Sequence, residues 1–541
     1  MLPVSLGSTF RIPKGNCMVV KLYALHNKRL KAEIQAYYIR TTNIIYIFKE
    51  ENQMNKLKRT LALVATLAMA TTAFASCDKD DKSSSSKAES KTESSATDSK
   101  AEESSTGDSK NDPSTKTEEV GAIDSSLKTG GAEFTVTSWN ADDAEALVKM
   151  FNEKSGMTAK FVNMSCKGEE APEKYKNMFQ AGDDLDVYFV EADWALQFVN
   201  DDTKTVGLDK LGFSDANFAE MYEYTDEIGK SISGVRKGAS WQAAAGGFAY
   251  RTDLAEKYLG VKTPEDMQKK IGTWADFEAA AKTVADASEG KTALADTLGG
   301  LWQVFSAGRT NAWVQNNKLV IDDSCKQFAD LAKNLWDNKG VMQCDQWGNE
   351  WLPAGQSDAT MGYFVSTWGF GDAILAAAAG GKDGATYGKW NVCVGPQEYF
   401  WGGTWMVVNP ATDNAEECQK FIKTFTVDNT TIKEYALTKP EYCNNKTVMA
   451  DIVASASSDP TTYKDQYVLN NLGGQNYFEV LDESVKGIDL KGLITPYDAT
   501  IKSQFMKAVK EQYVVGGKSW DDTMTTFKKA VKAEISTLEV E

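Results

Sequence analysis

The 541-residue sequence is nearly without histidine: its one imidazole belongs to His26, close to the start. Serine–histidine triads, histidine-ligated zinc and imidazole pH switches are therefore excluded from the rest of the chain. Positive charge is not in excess either. Lys and Arg number 59 against 76 Asp and Glu, a formal net charge of −17, which excludes a nucleic-acid surface. None of the six cysteines beyond residue 77 (Cys166, Cys325, Cys344, Cys393, Cys418 and Cys443) forms a Cys-x-x-Cys pair, so zinc and thioredoxin chemistry lack their usual ligands. There is no phosphate-binding glycine loop, no repeat of fixed period, and no apolar run of the ~20 residues that a membrane-spanning helix needs. What is present is 42% hydrophobic residues and 14 Trp, enough for a sizeable core and too much for wholesale disorder.

Residues 54–77 read as a secretory signal. Lys56, Lys58 and Arg59 form a basic start, and 61–75 is a 15-residue run of small and apolar side chains. The run ends in Phe74-Ala75-Ser76-Cys77, which resembles the lipobox of bacterial lipoproteins with Phe74 in place of the usual Leu. That resemblance implies a lipid anchor on Cys77, whereas Ala73-Phe74-Ala75 also fits ordinary cleavage and a released form. Residues 1–53 read as a mis-assigned start, because Lys49-Glu50-Glu51-Asn52-Gln53 is what a translated purine-rich ribosome-binding site would encode. After Cys77 comes low-complexity sequence, 12 Ser among the 42 residues of 78–119, which cannot bury enough apolar surface to fold. We assign 78–130 to a disordered tether, of which 78–119 alone has a mean reach of ~35 Å; a glycosylated stalk is the alternative. Beyond Cys77 the chain carries 48 basic against 73 acidic side chains, and no histidine.

From residue 131 the pattern is that of a folded α/β body. An alternating strand at 134–139 leads into a helix with Ala144, Leu147, Val148 and Phe151 on one face and Gly156 as its stop. A second strand at 159–164, a helix opened by Pro172, and a fully apolar strand at 185–190 follow. Strand–helix alternation at this spacing predicts a mainly parallel, doubly wound sheet. Ligands of such sheets bind beyond the carboxyl ends of the strands. Here those ends carry Trp139 and Asn140, then Glu191, Asp193 and Trp194: aromatic plates beside polar acceptors.

The order of segments resembles that of extracellular solute-binding proteins of bacterial ABC importers, of the carbohydrate-binding class that includes maltodextrin-binding proteins. The similarity covers about 131–531. It rests on Ser138-Trp139-Asn140, the segments 186–191, 248–257 and 273–277, the stretch from Ala359 to Trp368, Gly402-Gly403, and 516–522. It implies a two-lobed periplasmic-binding-protein-like fold, each lobe a mainly parallel sheet flanked by helices, joined by crossing hinge strands. By the same resemblance, lobe one is 131–242 plus 404–460 and lobe two is 243–403 plus 461–541. The crossings fall near 243–247 and 402–404.

A sugar presents flat C–H faces and a ring of hydroxyls, so it needs aromatic plates and planar hydrogen-bonding groups in a cleft that excludes water. The candidates are Trp139, Asn140, Glu191, Asp193, Trp194, Trp241, Trp368, Trp401, Trp405 and Tyr497. Trp274, Trp336 and Trp520 sit in helical patterns and read as core. The resemblance implies a monomeric receptor held outside the cytoplasmic membrane, which takes a carbohydrate ligand to a membrane permease driven by an ATPase on a separate chain. No cofactor and no nucleic acid are expected. The acidic balance keeps a receptor for a cationic solute such as a polyamine as the alternative, with peptide binding as a lesser version. A glycoside hydrolase is the enzymatic alternative, but Glu191 and Asp193 share one loop, with no opposed partner. Export permits disulfides, and Cys325–Cys344 is the most local candidate pair.

Overall fold

The computed structural model describes residues 119–439, 441–463 and 466–541. The proposed mis-assigned start, the signal with Cys77, and the tether up to residue 118 lie outside the described residues. The body begins earlier than the sequence suggested. Val120, Ile123 and Leu127, assigned above to the tether, pack against the core, and Gly121 N–H donates to the Gly212 carbonyl at 2.8 Å. The reason is local: these are the first apolar side chains after the Ser-rich stretch, and burying them repays the ordering of a few residues.

Among the described residues ten strands are formed: β1 (Phe134–Ser138), β2 (Ala159–Asn163), β3 (Val187–Glu191), β4 (Gly238–Ser240), β5 (Gly246–Arg251), β6 (Val314–Gln315), β7 (Lys318–Leu319), β8 (Gly362–Ser366), β9 (Trp390–Cys393) and β10 (Thr404–Val408). The larger sheet has the order β2-β1-β3-β10-β4, the second β8-β5-β9, and β6 and β7 form a small hairpin. In the larger sheet β1 pairs in parallel with β2 and β3, and only β10 runs against its neighbours. In the second sheet β5 alone is reversed, antiparallel to both β8 and β9. Parallel bridges Ala293–Thr360 and Ala295–Val341 extend that sheet. In the larger sheet four strands thus share one direction and β10 opposes them; in the second, β8 and β9 share a direction but every pairing of named strands, through β5, is antiparallel. The cause is the connection: β5 and β10 are the strands that follow a crossing from the other sheet. They enter at the end where their neighbours finish, so they must run the opposite way.

Local sequence explains the elements beside the strand ends. Asn140 caps helix Ala141–Ser155, accepting from Asp143 N–H at 3.3 Å, with Asp142 and Asp143 in its first turn and Gly156 at φ 68° as its stop. Its inner face buries Ala144, Leu147, Val148 and Phe151; Phe151 meets Phe134 of β1 and Phe421 edge-on, at ring separations of 5.9 and 5.1 Å. At the C-terminus, helices Asp498–Ala508 and Trp520–Glu534 bring Phe505 and Phe527 onto Trp313, at 5.3 and 6.0 Å. Trp274, Trp336 and Trp520 are half-buried against the core, as their helical patterns suggested. All six cysteines of the body are free thiols, Cys325 and Cys344 included. Among the described residues no helix is long and apolar enough to cross a membrane.

The crossings are built from hydrogen-bonded neighbours. Gly246 N–H donates to the Tyr399 carbonyl at 3.0 Å and Trp401 N–H to the Ala244 carbonyl at 3.1 Å, so the two passes lie side by side. Segment 441–445 joins them, with Ala243 N–H on the Tyr442 carbonyl and Asn444 N–H on the Trp241 carbonyl. Gly402 and Gly403 adopt φ of 72° and 94°, a region open to glycine. Gly246 is required for another reason: a methyl there would stand 2.2 Å from Tyr399 Cζ, whose hydroxyl donates to the carbonyls of Gly247 and Val365. Gly246→Ala is expected to cost about 1–3 kcal/mol through overpacking. Urea unfolding followed by tryptophan fluorescence would measure it, and an unchanged midpoint would contradict the assignment.

Candidate functional site

A cleft of about 1350 Å³ opens between the ends of the two sheets. It is lined by residues at the carboxyl ends of β1 and β3, by the crossing residues Gln242 and 401–404, by the turn after β8, and by the first turns of helix Asp498–Ala508. Seven of the ten residues expected at a ligand site meet here: Trp139, Asn140, Glu191, Asp193, Trp194, Trp368 and Trp401.

On one wall Trp139 and Trp194 stand 5.1 Å apart at 59°. Trp194 is anchored by edge contact with Phe198 at 5.6 Å and leaves little surface free, while Trp139 is half-buried. Tyr175 packs beneath Trp194 and ties the sheet together, donating its hydroxyl to the carbonyls of both Thr137 and Phe189. Asn140 is already engaged as a cap, its Nδ2 donating to Asp143 at 2.8 Å, so it offers the cleft less than a free amide would. The Glu191 carboxylate accepts from Asp193 N–H at 3.0 Å, and Asp193 is ion-paired with Lys502 of helix Asp498–Ala508. Burial, reinforced by Asp193, pushes the Glu191 carboxyl above the usual carboxylate range against the pull of Lys502. Burial by itself would lower Lys502, but Asp193, Glu191 and Asp498 together hold its ammonium above the ordinary lysine range.

The facing wall is a tryptophan cluster. Trp368 lies in the single turn Thr367–Gly369 after β8 and donates Nε1–H to the Trp401 carbonyl at 2.9 Å. Its ring meets Trp401 edge-on at 5.0 Å and Trp347 nearly parallel, at 6.3 Å and 16°. Trp347 is 59% exposed, with its backbone at φ 65° and its ring edge-on to Trp351 at 4.6 Å. An indole left this open beside a second indole has an apolar face available to a flat ligand.

Three expected site residues lie elsewhere. Trp405 neighbours Thr404 in β10, so strand alternation turns it to the opposite face, where it is buried and donates Nε1–H to the Thr225 carbonyl at 3.1 Å. Trp241 is buried against Phe189 at 5.0 Å. Tyr497, half-buried just ahead of helix Asp498–Ala508, does not line the cleft. Conversely, Trp347, Gln242, Thr367 and Glu441 line the cleft and were not anticipated. Trp347 could have been suspected as one more indole near Trp351, but nothing in the sequence marks the other three.

The carboxylates of Asp184, Asp186 and Asp413 lie close enough together to hold a cation. The buried member, Asp186, is already satisfied by Thr135 N–H at 2.8 Å, Thr412 Oγ1 at 2.6 Å and Asn414 Nδ2, which makes it a brace between β3 and the chain after β10. Trp405→Ala should cost about 3–5 kcal/mol in thermal or urea unfolding, and Trp347→Ala less than about 1 kcal/mol. Equal losses at the two positions would contradict the division between core and cleft.

Comparisons with known proteins agree with this architecture. A crystal structure of an extracellular solute-binding protein family 1 member superposes with a TM-score of 0.62 at 16% identity, covering 74% of this chain and all of that one. The ABC transporter-associated binding protein from B. animalis subsp. lactis, in complex with β-1,6-galactobiose, gives 0.58 at 19% identity over 75% of this chain and 98% of its own. The galacto-N-biose/lacto-N-biose I-binding protein of the ABC transporter from Bifidobacterium longum, in complex with lacto-N-biose, gives 0.58 at 16% identity over 76% and 100%. At such identities these likenesses show the fold, which is two-lobed. A search of curated protein sequences returned no match. Residues 146–464 match the family described as bacterial extracellular solute-binding protein. That match spans more than half of the chain, and with two sheets joined by paired crossings around an aromatic cleft, the chain belongs to the bacterial extracellular solute-binding proteins and is a receptor rather than an enzyme.

Proposed function

We propose that this protein is the substrate-binding receptor of an ABC importer, capturing a sugar or oligosaccharide in the cleft and delivering it to a membrane permease. The observation that carries the reading is the pair of facing aromatic walls, Trp139 with Trp194 and Trp347 with Trp368 and Trp401, interleaved with carboxylates and amides. Indole faces receive the C–H faces of a pyranose, and planar acceptors receive its hydroxyls. Lobe one is taken as 131–242 plus 404–460 and lobe two as 243–403 plus 461–541, an assignment supported by the membership of the two sheets. Closure of the lobes would bring the walls together and favour the loaded form for docking. The receptor acts as a monomer, its ATPase is on a separate chain, and Cys77 carries the lipid that holds it at the outer face of the cytoplasmic membrane.

The carboxylates on the cleft wall favour one competitor, a cationic solute such as a polyamine. A thermal-shift and fluorescence screen with maltopentaose, β-1,6-galactobiose, lacto-N-biose, spermidine and a tripeptide separates the two. A saccharide at 100-fold its Kd should add about 2.7 kcal/mol of stability. Trp368→Ala and Trp139→Ala should each weaken that saccharide about tenfold or more while the fold is kept. Stabilisation by spermidine alone would overturn the carbohydrate reading.

A further inference from the structure

At the floor of the cleft three side chains meet from three separate segments. Gln242 comes from the first crossing, Thr367 from the turn after β8, and Glu441 from the segment that runs beside the crossing. All are buried, Glu441 to 6% exposure and Thr367 to 3%. One carboxylate oxygen of Glu441, Oε2, accepts from Gln242 Nε2 at 3.1 Å. The other, Oε1, has no hydrogen bond in place among the described residues, and neither has Thr367 Oγ1, although that hydroxyl lies near enough to Glu441 to favour its ionised form. A buried polar atom left in this state costs about 1–3 kcal/mol, more for a charged group. Thr137 Oγ1 and Tyr250 Oη are in the same state within the core; what sets this pair apart is that both residues line the cleft and stand beside each other. On a cleft floor they are the acceptor and the hydroxyl that a ligand completes.

The charge around this floor narrows the ligand. Lys439 is the nearby cation, but its ammonium is turned to Asp143 at 3.6 Å and to the Asp142 carbonyl at 2.7 Å, away from ion pairing with Glu441. The other titratable groups facing Glu441 are Asp143, Tyr435 and Cys443. Burial, then Asp143, pushes the Glu441 carboxyl up to about 7, against weaker opposition from Thr367, Gln242 and Lys439. A neutral hydroxyl can donate to Glu441 Oε1 and accept from Thr367 Oγ1 at once, satisfying both. A carboxylate, sulfate or phosphate can only accept, and it would meet Glu441 at the floor with Glu191 and Asp193 on the wall.

We propose that Glu441, with Gln242 and Thr367, forms a hydrogen-bonding subsite on the cleft floor that takes a neutral hydroxyl of the ligand and rejects acidic saccharides. The proposal rests on the carbohydrate reading above and makes Glu441 its specificity-determining residue. The sign of the pH dependence follows. The ligand hydroxyl donates to the ionised carboxylate, so binding is strongest above the free-state value of about 7 and is lost as pH falls through it.

The test is titration calorimetry on the intact receptor at pH 8 and pH 6 with maltopentaose, β-1,6-galactobiose and lacto-N-biose. Trigalacturonate serves as the acidic counterpart and a glucosamine trimer as the basic one. Wild type should bind at least one neutral saccharide and lose about tenfold in affinity from pH 8 to pH 6. Glu441→Gln, an isosteric change, should bind it about tenfold more weakly at pH 8, with most of the pH dependence gone. Thr367→Val should weaken binding several-fold (about three- to tenfold) at both pH values and leave the pH profile in place. Because Glu191 titrates in both proteins, the difference between the wild-type and Glu441→Gln profiles isolates Glu441. Neutral-saccharide binding that is unchanged in Glu441→Gln, or trigalacturonate bound as tightly as its neutral counterparts, overturns the proposal and leaves the carbohydrate reading standing. Binding of the glucosamine trimer alone also overturns it. Binding of none of the saccharides overturns both.

Discussion

The architecture depends on one constraint, that the chain must pass between two sheets without leaving its backbone polar groups unpaired. A buried connection exposes N–H and C=O groups that no helix or sheet of either lobe satisfies. Here the passes satisfy one another: 241–243 pairs with 442–444, and 244–246 pairs with 399–401. Once the passes are paired, each incoming strand enters its sheet from the cleft end, which explains why β5 and β10 run against their neighbours. The glycines of this region follow from the same constraint. Gly246 makes room for the Tyr399 ring, and Gly402 and Gly403 supply a backbone turn closed to most side chains.

The paired passes also place the chemistry. Because β1, β3 and β8 all run toward the crossing, their carboxyl ends deliver Trp139, Glu191 and Trp368 to one cleft. The ring contacts then sort the tryptophans by function. Trp194 and Trp401 are held on several sides and support the walls, whereas Trp139, Trp347 and Trp368 keep surface toward the cleft. Burial makes the carboxyls of Glu191 and Glu441 costly to ionise where they lie, reinforced by Asp193 at one and Asp143 at the other. Paired with Lys502, Asp193 links the loop after β3 to the C-terminal helix, so the electrostatics of this wall depend on chain segments some 300 residues apart.

Much of this was legible locally. Helix Ala141–Ser155 announces itself through its spacing, its cap and its glycine stop, and helix Trp274–Ala287 through Thr273, which accepts from Asp276 N–H at 3.1 Å. Trp139 and Trp194 could be singled out because they directly follow strands, and a parallel sheet places such positions at its ligand-binding edge. The misplacement of Trp405 has a clear cause. All five residues of β10 are buried, so no polar–apolar alternation distinguishes the face of Thr404 from that of Trp405. The same indole reads equally well as cleft wall or core.

The sequence by itself determined an α/β body and the aromatic and acidic side chains at the ends of its first strands, while the two-lobed plan and its crossing points were implied by resemblance to a family. The former follow from interactions within a few residues: helix periodicity, capping, and the side chain that comes next after a strand. Only the tertiary structure decided which indoles face the cleft, that β5 and β10 are reversed, and that Glu441 stands beside Gln242. The last two residues lie 199 positions apart, and no local period links them. Their meeting is a consequence of paired crossings, and long-range pairing is the one kind of information that a pattern along the chain does not carry.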